Sequence, residues 1–194
     1  MESFIADTKS PAEVVLLEEL LVRAQRRAWR ARRTSYQGLV GVWQAAGLKV
    51  DVCDGRFDKA LRRVYNGFLD EDGKRDPAMF RQMLGGVAPG KVVNMAPAEE
   101  VRRAKDLLAF LAARPDLKPN PDDVAELQAA TAELEAALDE REAARRAKEA
   151  EGALLESDNS AFDTGWSDFI RAARRVIGEE GVRAAFPLFT RSGS

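Results

Sequence analysis

Histidine is absent from the 194 residues, and cysteine occurs once, as Cys53. The missing histidine removes the commonest general base and the commonest metal ligand together. A single cysteine excludes an intramolecular disulfide and a thiolate-rich metal site; Cys53 reads as a buried structural residue, and a reducing cytoplasm is the default compartment. Long apolar runs are missing too. No window approaches the ~18 residues needed to span a bilayer, and the acidic start MESFIADTKSPAEVV lacks the basic-then-apolar order of a secretory signal. These gaps argue against a catalytic centre, a cofactor, a bound metal and a membrane partner, and they predict a soluble chain.

The chain has ample material for helix. Ala, Arg, Glu and Leu dominate, whereas β-branched and aromatic residues are scarce, and unbranched side chains lose least entropy on helix formation. The apolar share of 45% is enough for a core, and 30 basic residues nearly balance 32 acidic ones. The expected fold is all-α, a bundle of six or seven helices with two long ones. The length fits one domain, or two small ones sharing a core.

Punctuation in the sequence sets the expected boundaries. A first long helix should start at Ser10-Pro11-Ala12-Glu13, a cap followed by proline at the first helical position, and run to Ala46, where Gly47 offers a stop. A second should begin near Asp54, cover Phe57 to Leu69 and end in the acidic turn Asp70-Glu71-Asp72-Gly73. A third runs from Asp76-Pro77 to Leu84. Residues 85–97 read as a linker between an N-terminal half, 1–84, and a C-terminal half, 98–190, packed on it; Val92 and Val93 could extend briefly there. A fourth helix spans Ala98 to Ala113, and a fifth, an Ala/Glu/Arg-rich rod, Asp122 to Leu155. The run Ser157-Asp158-Asn159-Ser160 then looks like a cap for a sixth, Ala161 to Ile177, followed by a turn from Gly181 to Phe189.

The halves resemble each other. Shifted by 105 positions, Phe57-Asp58 falls on Phe162-Asp163, and Leu61, Val64 and Tyr65 fall on Trp166, Phe169 and Ile170. Each set precedes a short segment holding Phe80 or Phe186. Duplicated long-helix units and chance agreement between amphipathic helices both fit. Asp58 and Asp163 would sit in helix first turns, where a carboxylate meets the positive end of the dipole.

The first helix carries the sharpest pattern. Val15, Val22, Trp29, Tyr36, Trp43 and Val50 recur at intervals of seven, a single slowly drifting stripe of core or interface. Arg23, Arg26, Arg27, Arg30 and Arg33 gather on another face, and Arg32 falls on the apolar side. From Leu20 to Val50 there is no acidic residue. Three readings follow for this face. Its arginines pair with acids of the fifth helix (Glu126, Glu133, Glu135, Asp139, Glu140, Glu142), or the stripe meets a protein partner or a second copy, or the arginines contact nucleic-acid phosphates. On the fifth helix, Leu127, Leu134 and Leu138 with Ala130, Ala137 and Ala144 mark a seam for close packing, and Glu142 and Arg146 stand four apart.

Two motifs fail. Residues 85–92, GGVAPGKV, match a phosphate loop until Val92 replaces the hydroxyl that would hold magnesium, and the strand before the loop is missing. The acidic turn 70–76 lacks the alternation and closing Glu of a calcium loop. The function expected is therefore non-enzymatic, a helical interaction or scaffold protein that meets a protein partner or forms a homodimer. The alternative is a nucleic-acid-associated accessory protein using the arginine face.

Overall fold

The computed structural model describes residues 12–67, 77–114, 116–117 and 119–186, and every regular element among them is helical. Helix α1, Ala12–Glu18, passes through a π-turn, Glu19–Arg23, into α2, Ala24–Gly67, with helical dihedrals at both junctions. Three shorter helices follow: α3 Pro77–Met83, α4 Pro89–Val92 and α5 Pro97–Ala113. Helix α6 spans Pro121–Ala185. The expected cap at Ser10, the acidic turn 70–76 and the tail after Phe186 lie outside the described residues.

Two expected breaks are absent, so the two long helices are longer than the punctuation suggests. Gly47 lies inside α2. A glycine there costs about 1 kcal/mol, but the stripe of seven continues through Val50 to Phe57 and Val64, all buried, and their burial outweighs that cost. The run 157–160 lies inside α6. Ser160 bonds back along the helix instead of capping a new one: its Oγ donates to the Glu156 carbonyl at 3.1 Å, as Thr164 does to the Ser160 carbonyl at 2.9 Å. Asp58 and Asp163 are consequently mid-helix residues, not first-turn ones.

Other boundaries follow the local chemistry. Asn120 Oδ1 accepts the Asp122 N–H at 3.0 Å, and Pro121 opens α6. After α3, Gly85 and Gly86 take φ of 64° and 86°; their N–H groups reach the carbonyls of Gln82 at 3.0 Å and Arg81 at 2.8 Å, a Schellman stop. Val92 is not extended: it closes the turn α4 with its side chain fully buried.

The described chain clusters into two compact units, one within 40–147 and the other combining 12–39 with 148–186. In the unit 40–147, α2 contributes Val50, Cys53, Phe57, Ala60, Leu61 and Val64 to a core that α6 meets with Leu127, Ala130, Leu134 and Ala137. Their register is antiparallel. Lys49 bonds to Glu140, Arg56 to Glu133 and Arg63 to Glu126, so each step of seven forward on α2 is met by one of seven backward on α6. Helices α3 to α5 close the core with Phe80, Val92, Ala104 and Leu107, joined by Leu84 just after α3.

The other unit is built on aromatic contacts. Phe169, Val14, Val22 and Phe186 are buried together, and Trp166 stands 5.4 Å from Phe169 and 5.9 Å from Phe186, ring centre to ring centre. Gly178, with φ 74° and ψ 173°, kinks the end of α6, and Val182, Ala185 and Phe186 beyond it join this core. Gly165 makes the close approach possible. A methyl group there would stand 2.6 Å from the Leu21 carbonyl oxygen. That carbonyl lies in the π-turn, and with its amide turned over the Gln25 side chain donates to it at 3.2 Å and to the Ala161 carbonyl at 2.9 Å, the orientation that satisfies both carbonyls.

Candidate functional site

The residues singled out in the sequence separate into an inward seam and an outward face. Val22 is core. Trp29 is half-buried and its indole N–H donates to Asn159 Oδ1. Tyr36 is half-buried against Gly152, where an added methyl would stand 3.2 Å from the ring. Trp43 is half-buried and Val50 buried, whereas Val15 is exposed. Most of the stripe therefore packs inward.

The five arginines do not form ion pairs with the acids named on the fifth helix. Arg23 bonds to Glu19 at 2.9 Å and Glu18 at 3.4 Å, and Arg27 reaches Glu19 at 3.5 Å. Arg33 lies 5.3 Å over the Trp29 ring. Arg26 and Arg30 have no acidic partner among the described residues. The cations of α2 that pair with α6 are Arg32, which bonds to Asp158 at 3.0 Å and Glu151 at 3.5 Å, and the ladder of Lys49, Arg56 and Arg63. The stop expected at Gly47, which divides α2 between Lys49 and the arginine face, conceals that register. The acids Glu126, Glu133 and Glu140 are partners in it, while Glu135 pairs with Lys105 at 2.5 Å. Glu142 pairs with Arg146 at 2.9 Å, as its spacing predicts; hydrogen bonds from Arg145 and Arg146 hold its carboxyl down to about 2.

Two features escape the sequence patterns. The first is a carboxyl cluster within the unit 40–147. Glu100, in the first turn of α5, is 1% exposed, and its side chain hydrogen-bonds Asp54 with Asp58 nearby. Burial, then that hydrogen bond and the two neighbouring charges, push its carboxyl up to about 8. Glu100 therefore holds its proton at neutral pH. One oxygen each of Asp54, Asp58 and Glu100 is buried without a hydrogen-bond partner. Among the described residues no group of His, Cys, Asp or Glu is arranged to hold a metal ion.

The second is the outward side of α2. Gly41, Ala45, Leu48, Val52 and Gly55 follow one another at alternating steps of four and three, and all are exposed. Leu48 is 68% and Val52 65% exposed, with Val42 beside them at 55%. These positions lie on the helix face away from Val50, Cys53 and Phe57. Such a face normally carries charge, as it does one turn later at Lys59 and Arg62.

Comparison with family models, with curated proteins and with solved structures finds no match. No described helix is long and apolar enough to cross a membrane.

Proposed function

We propose that this chain is a non-enzymatic helical interaction protein that meets its partner through the outward side of α2. The observation that supports the reading is the exposure of Leu48, Val52 and Val42 on a helix whose other side is already packed. An uncharged, apolar strip on a charge-rich chain costs solubility and has no role in the core. Glu100, whose carboxyl is raised to about 8, is sealed from substrate, so it reads as structural. The test is native size in fresh cell extract. Leu48→Glu with Val52→Glu should keep the helix content and lose the assembly; an unchanged size would sink the reading.

A second reading rests on Arg26 and Arg30, which lack acidic partners among the described residues and sit beside exposed Arg27 and Arg33. A nucleic-acid-associated accessory protein would use them on phosphates. Titration with labelled duplex and single strands across salt tests it. Binding should weaken steeply with salt and disappear in Arg26→Glu with Arg30→Glu. No binding at low salt removes the idea.

The two cores also support related halves. Phe57, Leu61 and Val64 are buried in one, and Phe169, the match of Val64, is buried in the other with Phe162 and Trp166 packed against it.

A further inference from the structure

The outward strip of α2 is self-complementary, and we infer that a second copy of this chain is its occupant, packed antiparallel about a two-fold axis between Ala45 and Leu48. This rests on the reading of the strip as the protein's working surface and names what covers it.

The order of side-chain sizes carries the inference. Going along α2 the strip reads small, small, large, large, small: Gly41, Ala45, Leu48, Val52, Gly55. Two such helices laid antiparallel about that axis put each Leu48 against Ala45 of the second copy and each Val52 against Gly41 of the second copy. Every knob meets a hole. Gly41 and Gly55 have nothing within 4 Å of where a Cβ would stand, so their surfaces are open for a close approach. A parallel arrangement in register would instead set Leu48 on Leu48 and glycine on glycine, bulge against bulge and gap against gap.

The flanking residues agree with the same orientation. On one flank the two-fold pairs Lys49 with Val42 of the second copy, and on the other Asp51 with Gln44 of the second copy, so no like charges meet. Lys49 and Arg56 are neutralised within the chain by Glu140 and Glu133. Asp51 is exposed and has no cationic partner among the described residues, and the Gln44 amide of the second copy would supply it a donor. Parallel helices would bring Gln44 beside Lys49 and Asp51 beside Arg56 of the second copy; the size order is what favours the antiparallel pair, and substitutions at position 44, which would face Asp51 in one arrangement and Lys49 in the other, discriminate between them.

Sedimentation equilibrium of the purified full chain, from micromolar to hundreds of micromolar, tests the inference. A monomer–dimer equilibrium is expected. Leu48→Glu, and independently Val52→Glu, should weaken it about 100-fold or more with helix content unchanged by circular dichroism. Gln44→Lys should tighten it about threefold, because the introduced ammonium would face Asp51 twice in the symmetric dimer. A monomer at every concentration overturns the inference, as does a dimer indifferent to both Glu variants or one that Gln44→Lys weakens. If the purified chain is monomeric while the assembly in extract still depends on Leu48 and Val52, the second copy is wrong and the interaction surface stands.

Discussion

Glu99 and Glu100 are chemically identical neighbours with opposite fates. Glu99 faces outward and bonds to Arg102 and Arg103 at 2.8 and 3.0 Å, which holds its carboxyl below the usual range. Glu100 is buried and protonated, with a carboxyl raised from 4.5 to about 8. A raised folded value means that the group's contribution to stability is fully present below about pH 4.5 and is lost as the pH rises through 8. Across that window the loss approaches about 1.4 kcal/mol per pH unit. Glu100→Gln, which keeps the shape and removes the charge, should raise the unfolding free energy measured in urea at pH 8.5 by several kcal/mol, up to about 5, and leave it nearly unchanged at pH 4.5. Equal urea midpoints for the two proteins at pH 8.5 would show that Glu100 is not buried as described. Nothing in the sequence separates the two glutamates, because both stand in a first turn where acid is favourable. Only the packing of α5 on Asp54 and Asp58 does so.

At the level of helices, the apolar periodicity was legible and the punctuation misled. The stripe from Val22 to Val50 and the seam Leu127, Ala130, Leu134, Ala137 both lie where the period of seven puts them. The misplaced stops, at Gly47 and at 157–160, come from residues whose helix cost is about 1 kcal/mol or less and is overridden by burial on either side. Glycines in this chain thus have different meanings that sequence cannot sort. Gly47 has open space around it, whereas Gly165 lies against the Leu21 carbonyl and the Gln25 amide. Gly47→Ala should therefore raise stability by about 0.5–1 kcal/mol through helix propensity. Gly165→Ala should lower it by about 1–3 kcal/mol, since a methyl must displace backbone. Thermal melts of the two variants check this, and equal shifts in the same direction would contradict the close approach at the π-turn.

For the molecule as a whole, the sequence drew attention to the arginine face, and the geometry redirects it. Arg23 and Arg27 are engaged by Glu18 and Glu19, and the cationic residues Lys49, Arg56 and Arg63 of α2 serve the ladder to α6. The strip from Gly41 to Gly55 drew no notice in the sequence because its apolar residues are interleaved with the core stripe, so the two faces separate only when one continuous helix runs past Gly47. The most direct test compares the two faces in a single measurement: gel-filtration size in fresh extract for the wild type, for Leu48→Glu with Val52→Glu, and for Arg26→Glu with Arg30→Glu. The wild type and the arginine variant should run together in the larger assembly, while the apolar-face variant runs as the 21.4 kDa chain alone. The reverse, an assembly kept by the apolar-face variant and lost by the arginine variant, would contradict this expectation.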